Sequence, residues 1–296
     1  MRIFDEVVEA IELHIAQYPP ERGGLLFGPI GRDVIVLFIP DDAAKTSSVS
    51  YTISKDMCIR TPMIEQETDL EYKGIIHSHP AYLDRPSSGD QVAATNALRA
   101  NPQMARFYMP IVTDFNGSAK LLRAHEMTVR GGKISFFIAL RRAVADSEAD
   151  VQREVPYLIP VLDCLREACH LLNKKGLSAT FSIQGSRISS NGILSLAYSM
   201  QCNKKQYIIM ASELFPQYAP HVFYVDGTNE MQSIFFEWNI NGNPGEQLSH
   251  AFEKTAENSF QITEIIPHIK FNKAANRRFR IKNIIRRNGR LSDRKF

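Results

Sequence analysis

From Gly74 to Asp90 the 296-residue chain reads GIIHSHPAYLDRPSSGD. His77 and His79 stand two apart at the end of an apolar run, and residues at that spacing on a β-strand face the same side. Two imidazoles aimed at one point are suited to bind a metal ion. Pro80 has no N–H with which to continue a ladder, so it turns the chain away. Asp90 then returns a carboxylate at the start of the next helix. Two nitrogens, one oxygen and a free fourth position describe a single catalytic zinc, because a structural zinc is usually closed by four protein ligands. The same residues have a second use. Ser87-Ser88-Gly89-Asp90 fits a helix capping box, in which the Ser87 hydroxyl takes a backbone amide and Asp90 reaches back.

The elements that must position these residues are legible in the apolar spacing. Phe4, Val7, Val8, Ile11 and Ile15 recur at intervals of three and four, which predicts an amphipathic helix ended by Pro19-Pro20, with only Leu13 off the stripe. Strand-like runs follow at Gly24–Phe27, Val34–Ile39 and Val49–Ile53, then a helix over Met57–Gln66 and a strand over Tyr72–His77. A helix over Ser88–Ala100 and strands at Phe107–Val112 and Lys120–Ala124 complete an α/β sandwich. The polar segment Val144–Pro156 reads as a linker or frayed helix. Residues 1–143 thus form one expected domain, 144–156 a linker, 157–269 a smaller α+β domain, and 270–296 a tail. The second domain opens on a helix carrying Leu158, Leu162, Leu165, Cys169 and Leu172. Strands at Ala179–Ile183, Ile193–Tyr198, Gln206–Met210 and Val222–Val225 follow, then a helix over Glu246–Glu257.

Composition narrows the class. The chain is 44% hydrophobic and 23% charged, which is ordinary for a globular protein. The start MRIFDEVVEAIELHIAQYPP lacks a basic stretch followed by an apolar run, and nothing later approaches the ~20 apolar residues of a membrane span, so a cytoplasmic location is expected. Cys58, Cys164, Cys169 and Cys202 are irregularly spaced and fit buried free thiols better than a disulfide framework or a thiolate site. The net charge of +3 conceals an asymmetry: Lys270–Phe296 holds eleven Lys or Arg against one acid, Asp293, leaving an acidic body with a basic tail. Such a tail is a solvated end or a contact for nucleic acid or another anionic partner.

The spacing H-x-H-x(7)-S-x-x-D, carried by His77, His79, Ser87 and Asp90, resembles the JAMM motif of the MPN-plus (JAB-type) zinc metalloproteases, and Pro80 matches as well. The family's upstream glutamate has its counterpart in PPERGGLLFG, as Glu21. The resemblance covers about the first half of the chain and implies a cytidine-deaminase-like α/β/α sandwich. It implies zinc held by His77, His79 and Asp90, with Glu21 as the general base that passes a proton to the leaving amine. Ser87 becomes a donor to the tetrahedral oxyanion. The substrate it implies is a ubiquitin-like protein or its conjugates, cut after that protein's C-terminus in a bacterial conjugation or antiviral system with other pathway proteins as partners. Two other readings share these residues: a non-catalytic MPN scaffold, and a RadC-like DNA-associated protein, whose helix-hairpin-helix sequence is not visible ahead of the motif. The second half resembles a ubiquitin-conjugating or RWD-like fold more loosely, through FPQYAPHVFYV, and it has no cysteine placed for catalysis.

Overall fold

The computed structural model describes residues 1–16, 22–47, 50–68, 70–80, 83–114, 121–142, 148–188, 194–225 and 231–256. Strand β1 (Arg2–Phe4) leads into helix α1 (Asp5–Ile11), which continues as a π-helical turn over Glu12–Ala16. Of the expected stripe, Phe4, Val7, Ile11 and Ile15 are enclosed, Val8 is partly buried and Phe4 ends β1 instead of joining the helix, while Leu13 is exposed. Strands β2 (Gly23–Pro29), β3 (Val34–Ile35), β4 (Leu37–Pro40), β5 (Lys45–Ser47) and β6 (Ser50–Thr52) precede helix α2 (Lys55–Glu67). Strand β7 (Leu70–Ser78) then runs to the site, and helix α3 (Ser88–Ala100) follows it. Strands β8 (Arg106–Tyr108), β9 (Ile111–Asp114), β10 (Glu126–Val129), β11 (Gly132–Ser135), β12 (Phe137–Leu140) and β13 (Asp150–Arg153) complete a sheet in which β2 pairs with both β7 and β4.

Alternation along these strands separates two apolar layers, as a period of two requires. Phe107, Ile111, Phe137 and Ala139 pack with Ala94 and Leu98 of α3. Their neighbours Tyr108, Val112 and Ile138 face the other cluster, which holds Val7 and Ile11 of α1 and Met57 of α2. The sheet therefore lies between helices on both faces, an α/β/α sandwich.

Several elements differ from the expectation, each for a physical reason. The single strand expected over 107–112 is broken at Met109-Pro110, where proline has no amide to donate. The Met109 amide goes to the Phe137 carbonyl instead, at 2.9 Å, and β8 and β9 separately run parallel to β7. The strand expected over 34–39 is likewise divided at Val36, so that β3 pairs with β1 and β4 with β2. No strand occupies 121–124; β10 begins at Glu126. The acidic segment expected as a linker contains β13, which adds to the open edge of β12 from Leu140↔Asp150 to Phe137↔Arg153 and packs Val151 against the α3 layer.

The second half starts with β14 (Tyr157–Ile159), parallel to β1, and helix α4 (Val161–Lys174). Leu162, Leu165, Cys169 and Leu172 of α4 are buried as the spacing predicts, whereas Leu158 belongs to β14. Five strands make an antiparallel meander: β15 (Ala179–Ile188), β16 (Leu194–Cys202), β17 (Lys205–Ser212), β18 (His221–Val225) and β19 (Met231–Ile234). Asn203 and Lys204, both at positive φ, join β16 to β17 in the two-residue turn whose twist suits a hairpin. Helix α5 (Pro244–Ala256) closes the unit, with Phe252 packed on Tyr207 at 5.1 Å between ring centroids. The Phe-Pro segment precedes a strand interior to the sheet, since β19 covers β18; Phe215 is buried and Trp238 Nε1 donates to the Pro216 carbonyl at 2.9 Å. Burial raises the Cys164 and Cys169 thiols to about 12 and about 11, so neither is a ready nucleophile. Cys58, contrary to the expectation of four buried thiols, is exposed on α2. The basic tail from Lys270 lies outside the described residues. Among the described residues no helix is long and apolar enough to cross a membrane.

Candidate metal centre

His77 is the penultimate residue of β7 and His79 follows the strand directly. The strand end is held from two sides. The Ser78 amide donates to the Arg22 carbonyl at 2.8 Å, and the Arg22 amide donates to Ser78 Oγ at 3.0 Å. The His79 amide donates to the Val112 carbonyl at 2.8 Å. The chain then turns, with the Leu83 amide on the Pro80 carbonyl at 2.9 Å.

The capping box at α3 is complete. Ser87 Oγ accepts from the Asp90 amide at 3.3 Å, and Asp90 Oδ2 accepts from the Ser87 amide and the Ser87 hydroxyl, both at 2.7 Å. This cap aims the carboxylate at the strand end. His77 Nε2 lies 3.2 Å from Asp90 Oδ1, His79 Nε2 lies 3.3 Å from Asp90 Oδ2, and the two imidazole nitrogens are 2.8 Å apart. Both histidines are buried and Asp90 is partly so. Donors bonded to a tetrahedral zinc at roughly 2.0–2.1 Å stand about 3.3 Å from one another, and each imidazole Nε2 meets one or the other Asp90 oxygen at close to that spacing.

Proton placement makes the stronger case that these residues fit a cation. His79 Nδ1 faces the Leu83 carbonyl at 3.2 Å. A carbonyl only accepts, so in the neutral ring the proton sits on Nδ1 and Nε2 presents a bare lone pair. That lone pair faces a carboxylate and a second imidazole nitrogen. One proton between the histidines leaves the contact between His79 and Asp90 uncompensated, whereas a cation among the three satisfies all of them. Burial pushes the Asp90 carboxyl up, but the facing His77 and His79 rings and the bond from the Ser87 hydroxyl outweigh it and hold the group below the usual carboxylate range. The amino end of α3 favours the same charged form.

Three contributors had no signal in the sequence. Tyr51 stacks on the His77 ring at 5.5 Å and 15° between planes, and its hydroxyl lies 3.4 Å from Asp41 Oδ2. Gly23 makes room for it, since a methyl there would come within 2.6 Å of Tyr51 Cε2. The Leu83 carbonyl is the third. Tyr51 and Gly23 lie far from the motif along the chain, and a carbonyl is the same at every residue, so spacing could not reveal them. A cavity of about 410 Å³ opens near the amino end of α3, lined in part by Arg85, Pro86, Gln91 and β13, and none of the three metal-type donors lines it.

Residues 5–124 match the family model of prokaryotic homologs of the JAB domain. This segment is a JAB-type domain. A solution structure of a protein from Desulfitobacterium hafniense is similar at 18% identity, covering 54% of this chain and 94% of that one with a TM-score of 0.38. A JAB1/MPN domain protein from Archaeoglobus fulgidus is similar at 22% identity, covering 38% of this chain and 78% of that one with a TM-score of 0.22. A search of the curated proteins finds no match. Within the JAB-type domain His77, His79 and Asp90 come together with Ser87 beside Asp90, and Glu21 lies outside the described residues. The Ser87 hydroxyl proton points to Asp90.

Proposed function

We propose that the chain is a zinc-dependent isopeptidase or peptidase that cuts after the C-terminus of a ubiquitin-like protein, by deconjugation or by precursor trimming, in a bacterial conjugation or antiviral setting. One observation carries the reading: two imidazole nitrogens and a carboxylate converge within a single ion's reach at a strand end and a helix start. His77, His79 and Asp90 would hold one zinc ion. Bound there, the ion supplies a Lewis acid and a water nucleophile at neutral pH.

The protein's own groups do the rest. His79 keeps its proton on Nδ1 against Leu83, which leaves Nε2 available as a ligand. Ser87 orients Asp90 and, once substrate is bound, turns its hydroxyl towards the oxyanion. Glu21 is assigned the proton transfer from water to the leaving amine. What supports this is its chain neighbour Arg22, whose backbone is bonded to Ser78 between the two histidines. The scaffold reading is weaker because all three ligand positions are intact.

The test is a purified full chain assayed with a ubiquitin-like fusion encoded beside it. Glu21→Ala is expected to keep about one zinc per chain while cleavage falls ~100- to 10,000-fold. Wild-type cleavage by that variant would remove Glu21 as the base, and full cleavage by chelator-stripped protein would remove the metal from the reaction.

A further inference from the structure

The proton on His79 Nδ1 depends on where the Leu83 carbonyl is held, and Leu83 belongs to the loop between the strand end and α3. Its neighbour Asp84 is the loop's tether. Lys133 Nζ on β11 lies 3.1 Å from Asp84 Oδ2 and 2.5 Å from Glu126 Oε1 on β10, and Arg123 Nη1 lies 3.6 Å from the same Asp84 oxygen. The Glu126 side chain is nearly enclosed and the Lys133 side chain is mostly so. Glu126 is fixed in turn by the Arg123 amide, which donates to its Oε2 at 2.8 Å. A lysine clamped to a buried carboxylate on a sheet hairpin is a rigid post, and Asp84 ties the loop to it.

We propose that Lys133 is a positioning residue for the metal centre: acting through Asp84, it holds the Leu83 carbonyl on His79 Nδ1 and so presents His79 Nε2 to the ion. This rests on the reading of His77, His79 and Asp90 as ligands. The importance of the Lys133–Asp84 pair here lies less in its own strength than in placing an acceptor behind a ligand. Outer-shell acceptors of this kind typically change metal affinity by ~10- to 100-fold. Lys133 acts one link further out, so the lower end is expected.

The experiment measures zinc affinity of the full chain by competition with a chromophoric chelator, together with the visible spectrum of the cobalt-substituted protein. Lys133→Met should weaken zinc about 10-fold and alter the cobalt bands, and Lys133→Arg should restore both. Adding Lys133→Met to Asp84→Asn should cause no further loss, because the two act in series. Independent, additive losses, or equal affinity in wild type and Lys133→Met, would overturn the inference while leaving the ligand assignment intact. A wild type that binds zinc no better than His79→Ala would overturn both.

Discussion

At the residue scale, two glycines are set by what lies against them. Gly74 is where β8 comes alongside β7, paired with Tyr108, and a methyl there would sit 1.9 Å from the Tyr108 carbonyl oxygen. The neighbour is backbone, so relief requires the strands to part. Gly74→Ala is expected to destabilise the protein by about 2–3 kcal/mol in denaturant unfolding, in the range of overpacked cores. A loss below ~0.5 kcal/mol, the scale of ordinary surface substitutions, would show that the strands separate easily. Gly23 is similar, but there the nearest atom is the edge of the Tyr51 ring.

At the element scale, the start of α3 has two duties. Its cap satisfies free amides of the first turn, and the same bonds point Asp90 at the histidines. Ser87→Ala removes the hydroxyl's part in each and leaves the bond from the Ser87 amide to Asp90, so unfolding stability should drop by about 1 kcal/mol and zinc affinity by about 10-fold, with Ser87→Thr keeping most of each. Unchanged zinc affinity in Ser87→Ala alongside the expected stability loss would confine Ser87 to capping. The breaks at Val36 and Met109-Pro110 also belong to this scale. At Val36 the chain passes from β1 to β2 as its partner, which hydrophobic spacing does not record, whereas at Met109-Pro110 the proline is itself a stop.

At the scale of the whole molecule, the two halves share one apolar core, and Asp5 sits at their junction. Its carboxylate accepts from the Asp163 amide, at the start of α4, and from the Glu6 amide, both at 3.0 Å. Burial outweighs these bonds and raises its pKa from 3.8 to about 6. The folded state thus binds the proton more tightly than the unfolded chain. The stability from this group is present below about pH 4 and is lost as pH rises to about 6. Unfolding measured across pH 3–8 should show wild type losing stability relative to Asp5→Asn between those limits and running parallel above them. Parallel curves throughout would mean that Asp5 has the same pKa folded and unfolded. Arg32 to Glu213 at 2.7 Å and Arg166 to Glu9 at 2.5 Å cross the same junction.

The amino-acid sequence by itself determined the local features: the buried stripe of α1, the extent of α3, the cap at Ser87 and the metal-type spacing of His77, His79 and Asp90. Each depends on residues within a turn, a strand repeat or one loop, where spacing translates directly into direction. The tertiary structure alone decided that β13 joins the sheet where a linker was expected, that Tyr51 covers His77, and that Leu83, Asp84 and Lys133 stand in line behind His79. Those contacts join segments through strand order and loop path, which are set by the sum of many weak packing terms along the whole chain and leave no signature at any one position.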